Sequence, residues 1–137
     1  MAQAEAREGW RPLVVCFACR HAFYRGTEAA GDAKIIEVSC AGRVTSEMVL
    51  RAFYRGADAV LVAGCAPSEC RCSTGAYQAC RRLPLLGQLL AFTGLEEERF
   101  ATVWPGRGET GRFTEAVRAL ATRAATLGLS TRLREEL

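Results

Sequence analysis

The sequence has no apolar run approaching the roughly 18 residues that a membrane-spanning helix needs. Its N-terminus, Met1 to Pro12, carries charges of both signs and no apolar stretch ahead of a cleavage-like site. Neither a membrane span nor a secretory leader is therefore expected. Blocks of five or six like charges are also missing: the net charge of +3 comes from 17 Arg and a single Lys against 15 acidic residues, spread along the chain. That distribution argues against a nucleic-acid partner. There is one histidine, His21, which reads as an exposed loop residue outside any site.

What is present is a chain of 137 residues, 50% hydrophobic and 24% charged, a size and composition that fit one globular domain. The division expected is an N-terminal extension over 1–12, a single α/β domain over 13–128 and a polar C-terminal tail over 129–137. The excess is in cysteine, with seven, an odd number. Without a leader the expected compartment is the reducing cytoplasm, where clustered cysteines more often bind metal or do redox chemistry than form structural disulfides.

Four short apolar runs, Leu13–Cys16, Lys34–Val38, Ala59–Ala63 and Phe100–Trp104, are bounded by Gly, Pro or polar residues, as buried parallel strands are. Segments of helical spacing alternate with them. Thr45 or Ser46 can cap a helix with Val49, Ala52 and Phe53 on one face, ended by Gly56. The segment from Ser73 to Gly94 places Ala76, Cys80, Leu83, Leu86 and Leu90 on one stripe, and Pro84 predicts a division into two pieces. A last helix is expected from about Gly111 to Leu127, with Phe113, Ala116, Val117, Leu120 and Ala124 as its stripe. The connection from Arg20 to Asp32 is barely long enough for a helix. The pattern βαβαβαβα predicts a small open, doubly wound, mostly parallel four-stranded α/β sheet with flanking helices, flavodoxin- or Rossmann-like. In such folds sites form outside the carboxyl ends of the strands, near the point where strand order reverses.

The cysteines gather there. Cys16 and Cys19 close the first run, Cys40 follows the second, and Cys65 and Cys70 follow the third. Any one alone could be a small buried hydrophobe, but five at strand ends point to a metal or redox site. Structural zinc sites take ligands from two close pairs, whereas only Cys16-x2-Cys19 has that form here. Iron–sulfur clusters accept dispersed thiolates, and a C-x4-C step like Cys65-x4-Cys70 occurs in one 2Fe-2S spacing. Arg20, Arg25, Arg43 and Arg71 lie beside these cysteines and could offset the negative charge of a thiolate-ligated cluster.

Two further readings compete. A thiol–disulfide oxidoreductase would use Cys16-x2-Cys19, leaving three nearby cysteines without a role. Gly106-x-Gly108-x-x-Gly111 has a dinucleotide-site spacing but follows the last strand; a Gly-rich turn into a helix is the plainer reading. Cys80 reads as core and Cys72 as a thiol able to exchange with a ligand. Trp10, Trp104, Phe23 and Tyr24 read as ordinary packing rather than a docking surface.

At Cys16-x2-Cys19, Cys40-Ala41-Gly42-Arg43-Val44, Arg51-Ala52-Phe53, Gly56-Ala57-Asp58-Ala59-Val60 and Val62-Ala63-Gly64-Cys65-x-Pro67-x-x-Cys70 the sequence resembles the delta subunits of methyl-viologen-reducing hydrogenase, a family of hydrogenase iron–sulfur subunits. The resemblance spans roughly residues 13 to 125. It implies a non-catalytic electron-transfer subunit carrying one 2Fe-2S cluster. Such a protein would relay electrons from a hydrogenase, formate dehydrogenase or similar donor to the flavin of the A-type subunit of heterodisulfide reductase. The family's cysteines fall on Cys16, Cys19, Cys40, Cys65 and Cys70, one more than a four-thiolate cluster needs.

Overall fold

The computed structural model describes residues 11–19, 33–66, 75–106 and 109–130. The elements are β1 (Val14–Cys19), β2 (Ala33–Val38), α1 (Ser46–Tyr54), β3 (Ala59–Ala63), α2 (Gly75–Phe92), β4 (Phe100–Val103) and α3 (Thr110–Leu127), with 3-10 turns at Ala41–Arg43 and Glu97–Arg99. All strand pairs are parallel, in the order β2-β1-β3-β4. The doubly wound α/β sheet expected from the sequence is therefore what forms, with the strand order of the flavodoxin-like folds.

Strand alternation builds two cores. Val15, Phe17, Val60 and Val62 point to one face, where Val49 and Phe53 of α1 and Ala79, Leu83, Leu86 and Leu90 of α2 cover them. Val14, Cys16, Ala18, Ala59, Leu61 and Ala63 point to the other, under Phe113, Val117, Leu120 and Ala124 of α3. Period 2 in the strands meets period 3.6 in the helices, and each fully buried Val, Leu or Phe contributes about 1.5–3 kcal/mol. The central strands β1 and β3 are buried throughout, while β2 at the edge is half-exposed and shows Ile36 to solvent.

Local signals set the helix ends. Thr45 caps α1, its Oγ1 accepting from the Met48 N–H at 3.1 Å, and Gly56 takes the left-handed turn after it at φ 118°. Gly128 ends α3 at φ 87°, its N–H donating to the Ala124 carbonyl.

Two expectations need correction. Helix α2 is not divided at Pro84: it runs unbroken from Gly75 to Phe92. The proline lies on the exposed side, and buried residues on both sides of it hold the helix to the sheet, so tertiary packing outweighs the lost backbone hydrogen bond. Strand β1 runs three residues past its apolar run, so that Cys16 lies within the strand and only Cys19 closes it. Pairing with β2 continues to Cys19↔Val38 and with β3 to Ala18↔Ala63; ladder hydrogen bonds carry the strand beyond what its composition marked. The connection from Arg20 to Asp32 lies outside the described residues.

The amino ends of the strands are fastened by a network that sequence reading missed. Arg99 is 1% exposed. It donates to Glu96 Oε1 at 2.6 Å, to the Asp58 carbonyl at 3.0 Å and to the Gly128 carbonyl at 2.8 Å. The Asp58 carboxylate accepts from the N–H groups of Leu13 and Ser130, both at 2.9 Å. The start of β1, the start of β3 and the chain after α3 are thereby tied together, with a buried charge held by several acceptors.

Candidate metal centre

The strand order reverses between β1 and β3, since β2 lies outside β1 and β4 outside β3. Folds with this reversal form their sites outside the carboxyl ends of these two central strands. Cys19 ends β1, Cys65 stands two residues past β3, and Cys40 stands two past β2. All three are buried. Cys70 and Cys72 lie outside the described residues, as do Arg20, His21, Arg25 and Arg71; Arg43 is exposed on the turn after Cys40.

Each thiol is placed by its own local structure. Cys19 Sγ donates to the Ser39 carbonyl at 3.8 Å, joining the ends of β1 and β2. Cys40 precedes a 3-10 turn and its sulfur accepts the Gly42 N–H at 3.4 Å. Arg82 of α2 clamps that turn, donating to the Val44 carbonyl at 2.8 Å and the Gly42 carbonyl at 3.1 Å. The Cys65 segment runs beside the chain leaving β4: Gly64 N–H donates to the Val103 carbonyl and Ala66 N–H to the Pro105 carbonyl, at 3.0 and 3.1 Å.

Gly64 is fixed by close approach rather than by unusual backbone. A Cβ there would collide with Trp104 Cζ3 and would lie 2.7 Å from Trp104 Cε3 and 3.0 Å from Ala41 Cβ. The half-buried Trp104 ring thus wedges the β3 loop against the Cys40 turn, setting Cys65 and Cys40 relative to one another. Neither Trp104 nor Arg82 carried a signal marking it as a neighbour of the site, because both contacts cross between elements distant in sequence.

Cys16 is placed differently. It faces α3, opposite in parity to Cys19, and is fully buried with Leu61, Phe113, Val117 and Leu120 in the α3-side core. Desolvation raises its thiol pKa from 9.0 to about 12. Three residues of strand put Cys16 and Cys19 about 10 Å apart along β1, beyond the roughly 7 Å Cα separation a disulfide can bridge. The pair therefore cannot act as a C-x2-C dithiol in this fold. Cys80 is only half-buried, since the stripe of α2 runs through Ala79 instead; partial burial still raises its pKa.

The glycine-rich turn before α3 is occupied by its own side chain. Glu109 accepts the Gly106 N–H at 2.8 Å and pairs with Arg112 at 3.1 Å, and these two contacts, the backbone one first, lower its pKa. The Gly106 N–H is thus already paired, while Gly108 lies outside the described residues.

The residue types at the carboxyl edge fit a thiolate-bound cluster in their chemistry: three thiols at separate strand ends, with the Gly42 N–H donating to the Cys40 sulfur. Among the described residues no three His, Cys, Asp or Glu side chains converge to hold one metal ion, and no helix is long and apolar enough to cross a membrane.

Comparison with known proteins agrees with this chemistry. The model of the family described as methyl-viologen-reducing hydrogenase, delta subunit, matches residues 14–128. The iron-sulfur subunit of the F420-non-reducing hydrogenase of Archaeoglobus profundus is 36% identical across 80% of this chain and 86% of its own length. The vhc iron-sulfur subunit of the F420-non-reducing hydrogenase of Methanococcus voltae is 33% identical across 90% of this chain and 92% of its own. The A-type subunit of a ferredoxin/F420H2-dependent CoB-CoM heterodisulfide reductase from Methanosarcina acetivorans is 32% identical across 84% of this chain but only 16% of its own length, so the unit also occurs inside a larger polypeptide.

Proposed function

Because the chain belongs to the methyl-viologen-reducing hydrogenase delta subunit family, we propose that it is an electron-transfer subunit carrying one 2Fe-2S cluster at the carboxyl edge of its sheet. Four of the five cysteines Cys16, Cys19, Cys40, Cys65 and Cys70 hold the cluster. The observation that supports the reading is that Cys19 ends β1 while Cys40 and Cys65 stand just past the carboxyl ends of β2 and β3, in a chain whose relatives are named iron-sulfur subunits.

When bound, such a cluster supplies one-electron exchange without bond-making chemistry on a substrate. The chain's own residues hold and tune it. Thiolates from separate strand ends fix its position, the Gly42 N–H donates toward the Cys40 sulfur, and Arg82 and Trp104 hold the loops that carry the ligands. Hydrogen bonds to sulfur and exclusion of water both shift the potential of an iron–sulfur centre.

The partners in this reading are a hydrogenase, formate dehydrogenase or similar donor on one side. On the other is the flavin-containing, A-type subunit of a heterodisulfide-reductase-type complex, in the cytoplasm. The occurrence of the same unit within such a heterodisulfide reductase polypeptide supports the second partner, since a fused unit is held permanently beside the rest of that protein. Anaerobic purification with iron, sulfide and zinc analysis tests the cofactor: about two irons and two sulfides per chain are expected, and stoichiometric zinc without colour would sink the reading. Reduction of the purified flavoprotein by a hydrogenase, only when this chain is present, tests the relay.

A further inference from the structure

The face of the sheet that carries α1 and α2 is not covered to its edge. Buried residues of the two helices pack over Val15, Phe17, Val60 and Val62 of the central strands, while toward β2 the surface opens into a groove of about 410 Å³. We propose that this groove docks a partner protein through an amphipathic helix whose apolar stripe is flanked by carboxylates. The groove lies on the flank of the sheet and involves none of the cysteines, so the inference does not depend on the cluster.

Parallel pairing sets Lys34 beside Val15 and Ile36 beside Phe17, so these β2 side chains stand on the α1 face of the sheet. Leu13, Val15, Phe17 and Ile36 floor the groove, and Met48 and Ala52 of α1 wall it. Leu13 and Ile36 are each 40% exposed; single exposed apolar residues are ordinary, but these two share one continuous apolar floor. The rim is cationic. Lys34, the only lysine of the chain, enters from the strand side and Arg51 and Arg55 from the helix side, with no acidic residue in the lining. Arg51 pairs with Glu47 at 3.2 Å, whereas among the described residues Lys34 and Arg55 have no acidic partner. A lysine on an edge strand serves to block strand addition. That explains Lys34 but not two arginines placed i,i+4, whose like charges repel, over the same apolar floor.

The shape fits a helix. Helix α1 is nine residues long, about 13 Å of wall. A second helix beside it, at an interaxial distance of about 8–10 Å, would set an i, i+3 or i+4, i+7 stripe on Leu13, Ile36 and Met48. Carboxylates on its two flanks would face Lys34 on one side and Arg51 and Arg55 on the other, which orients the partner and speeds encounter.

The test uses the full chain, purified anaerobically, and a fluorescein-labelled helical peptide of about 18 residues with a leucine stripe flanked by glutamates. A counterpart peptide carries lysines in place of the glutamates. Fluorescence anisotropy measures binding, and hydrogen exchange locates it. The acidic peptide should bind, more weakly as salt rises, and should protect α1 and β2; the basic one should bind at least about tenfold more weakly. Ile36→Glu and Arg55→Glu should each weaken the acidic peptide at least about tenfold, with circular dichroism and iron content as in the wild type. Arg118→Glu, the same charge change at an exposed position of α3, should leave binding within about twofold. Should Ile36→Glu fail to fold, Lys34→Glu at an exposed position takes its place. Absence of binding, equal binding of the two peptides, or binding that survives the groove substitutions would overturn the proposal. So would a dimer of the chain that Ile36→Glu splits in sedimentation, which would give the groove to a second copy.

Discussion

Gly64→Ala places one methyl group at the tightest point between the Cys65 and Cys40 loops. Its Cβ would lie 2.7 Å from Trp104 Cε3 and 3.0 Å from Ala41 Cβ, against carbon–carbon optima of about 3.5–4.0 Å. Neither neighbour gives way easily. Ala41 is 1% exposed in the turn that Arg82 clamps, and the backbone beside Trp104 is held by the hydrogen bond from Gly64 to Val103. Overpacking of this kind costs about 1–3 kcal/mol, and the upper end is expected here because both walls are fixed. For a domain of this size that is a fall in melting temperature on the order of 10 °C, together with partial loss of the cluster as Cys65 and Cys40 move apart. Thermal melts followed by circular dichroism and by cluster absorbance measure both. Gly87→Ala is the control: a Cβ there meets Phe100 at 3.4 Å within α2, so it should be neutral or gain up to about 1 kcal/mol from helix propensity. Replacing Trp104 by Leu in the Gly64→Ala background should recover at least about 1 kcal/mol of the loss. An unchanged melting temperature and full iron content in Gly64→Ala would refute the wedge.

Three other outcomes are expected. Arg99→Leu should cost about 3 kcal/mol in urea unfolding, because it strips donors from two buried carbonyls, yet leave iron content unchanged since it acts at the opposite edge of the sheet; a loss below about 0.5 kcal/mol would contradict the anchoring role. Arg82→Ala should cost only about 1 kcal/mol but speed cluster loss to a chelator several-fold by releasing the Cys40 turn; equal bleaching rates would contradict it. The Cys16 thiol titrates near 12 in the folded chain against 9.0 ordinarily. Its contribution to stability is therefore complete below pH 9 and lost as pH rises toward 12, by about 1.4 kcal/mol per pH unit. Subtracting the pH profile of Cys16→Ala should isolate that slope, and parallel profiles would show the thiol to be solvated.

Much of the fold was legible because its signals are local. The stripe Phe113, Val117, Leu120 and Ala124 with Gly128 behind it defined α3, and Thr45 marked the start of α1. The alternation of strands and helices also put Cys19 at the carboxyl end of β1 and Cys40 and Cys65 just past those of β2 and β3. What sequence could not carry were contacts between distant elements. The first apolar run ends at Cys16, but pairing with β2 and β3 carries the strand on through Phe17 and Ala18, which moves Cys16 off the edge. Pro84 signalled a break that packing of Leu83 and Leu86 overrides. Nothing local set Arg99 apart from the other 16 arginines, although it is buried and donates to the Asp58 and Gly128 carbonyls.

The central claim is a two-iron cluster at the edge formed by β1, β2 and β3. Quantitative electron paramagnetic resonance during reductive titration of the anaerobically purified chain tests it most directly. The oxidised protein should be silent and the reduced one should carry one unpaired spin per two irons, a signal abolished by Cys65→Ala. A zinc-loaded, colourless chain that takes up no electron, or a signal accounting for four irons per spin, would contradict it.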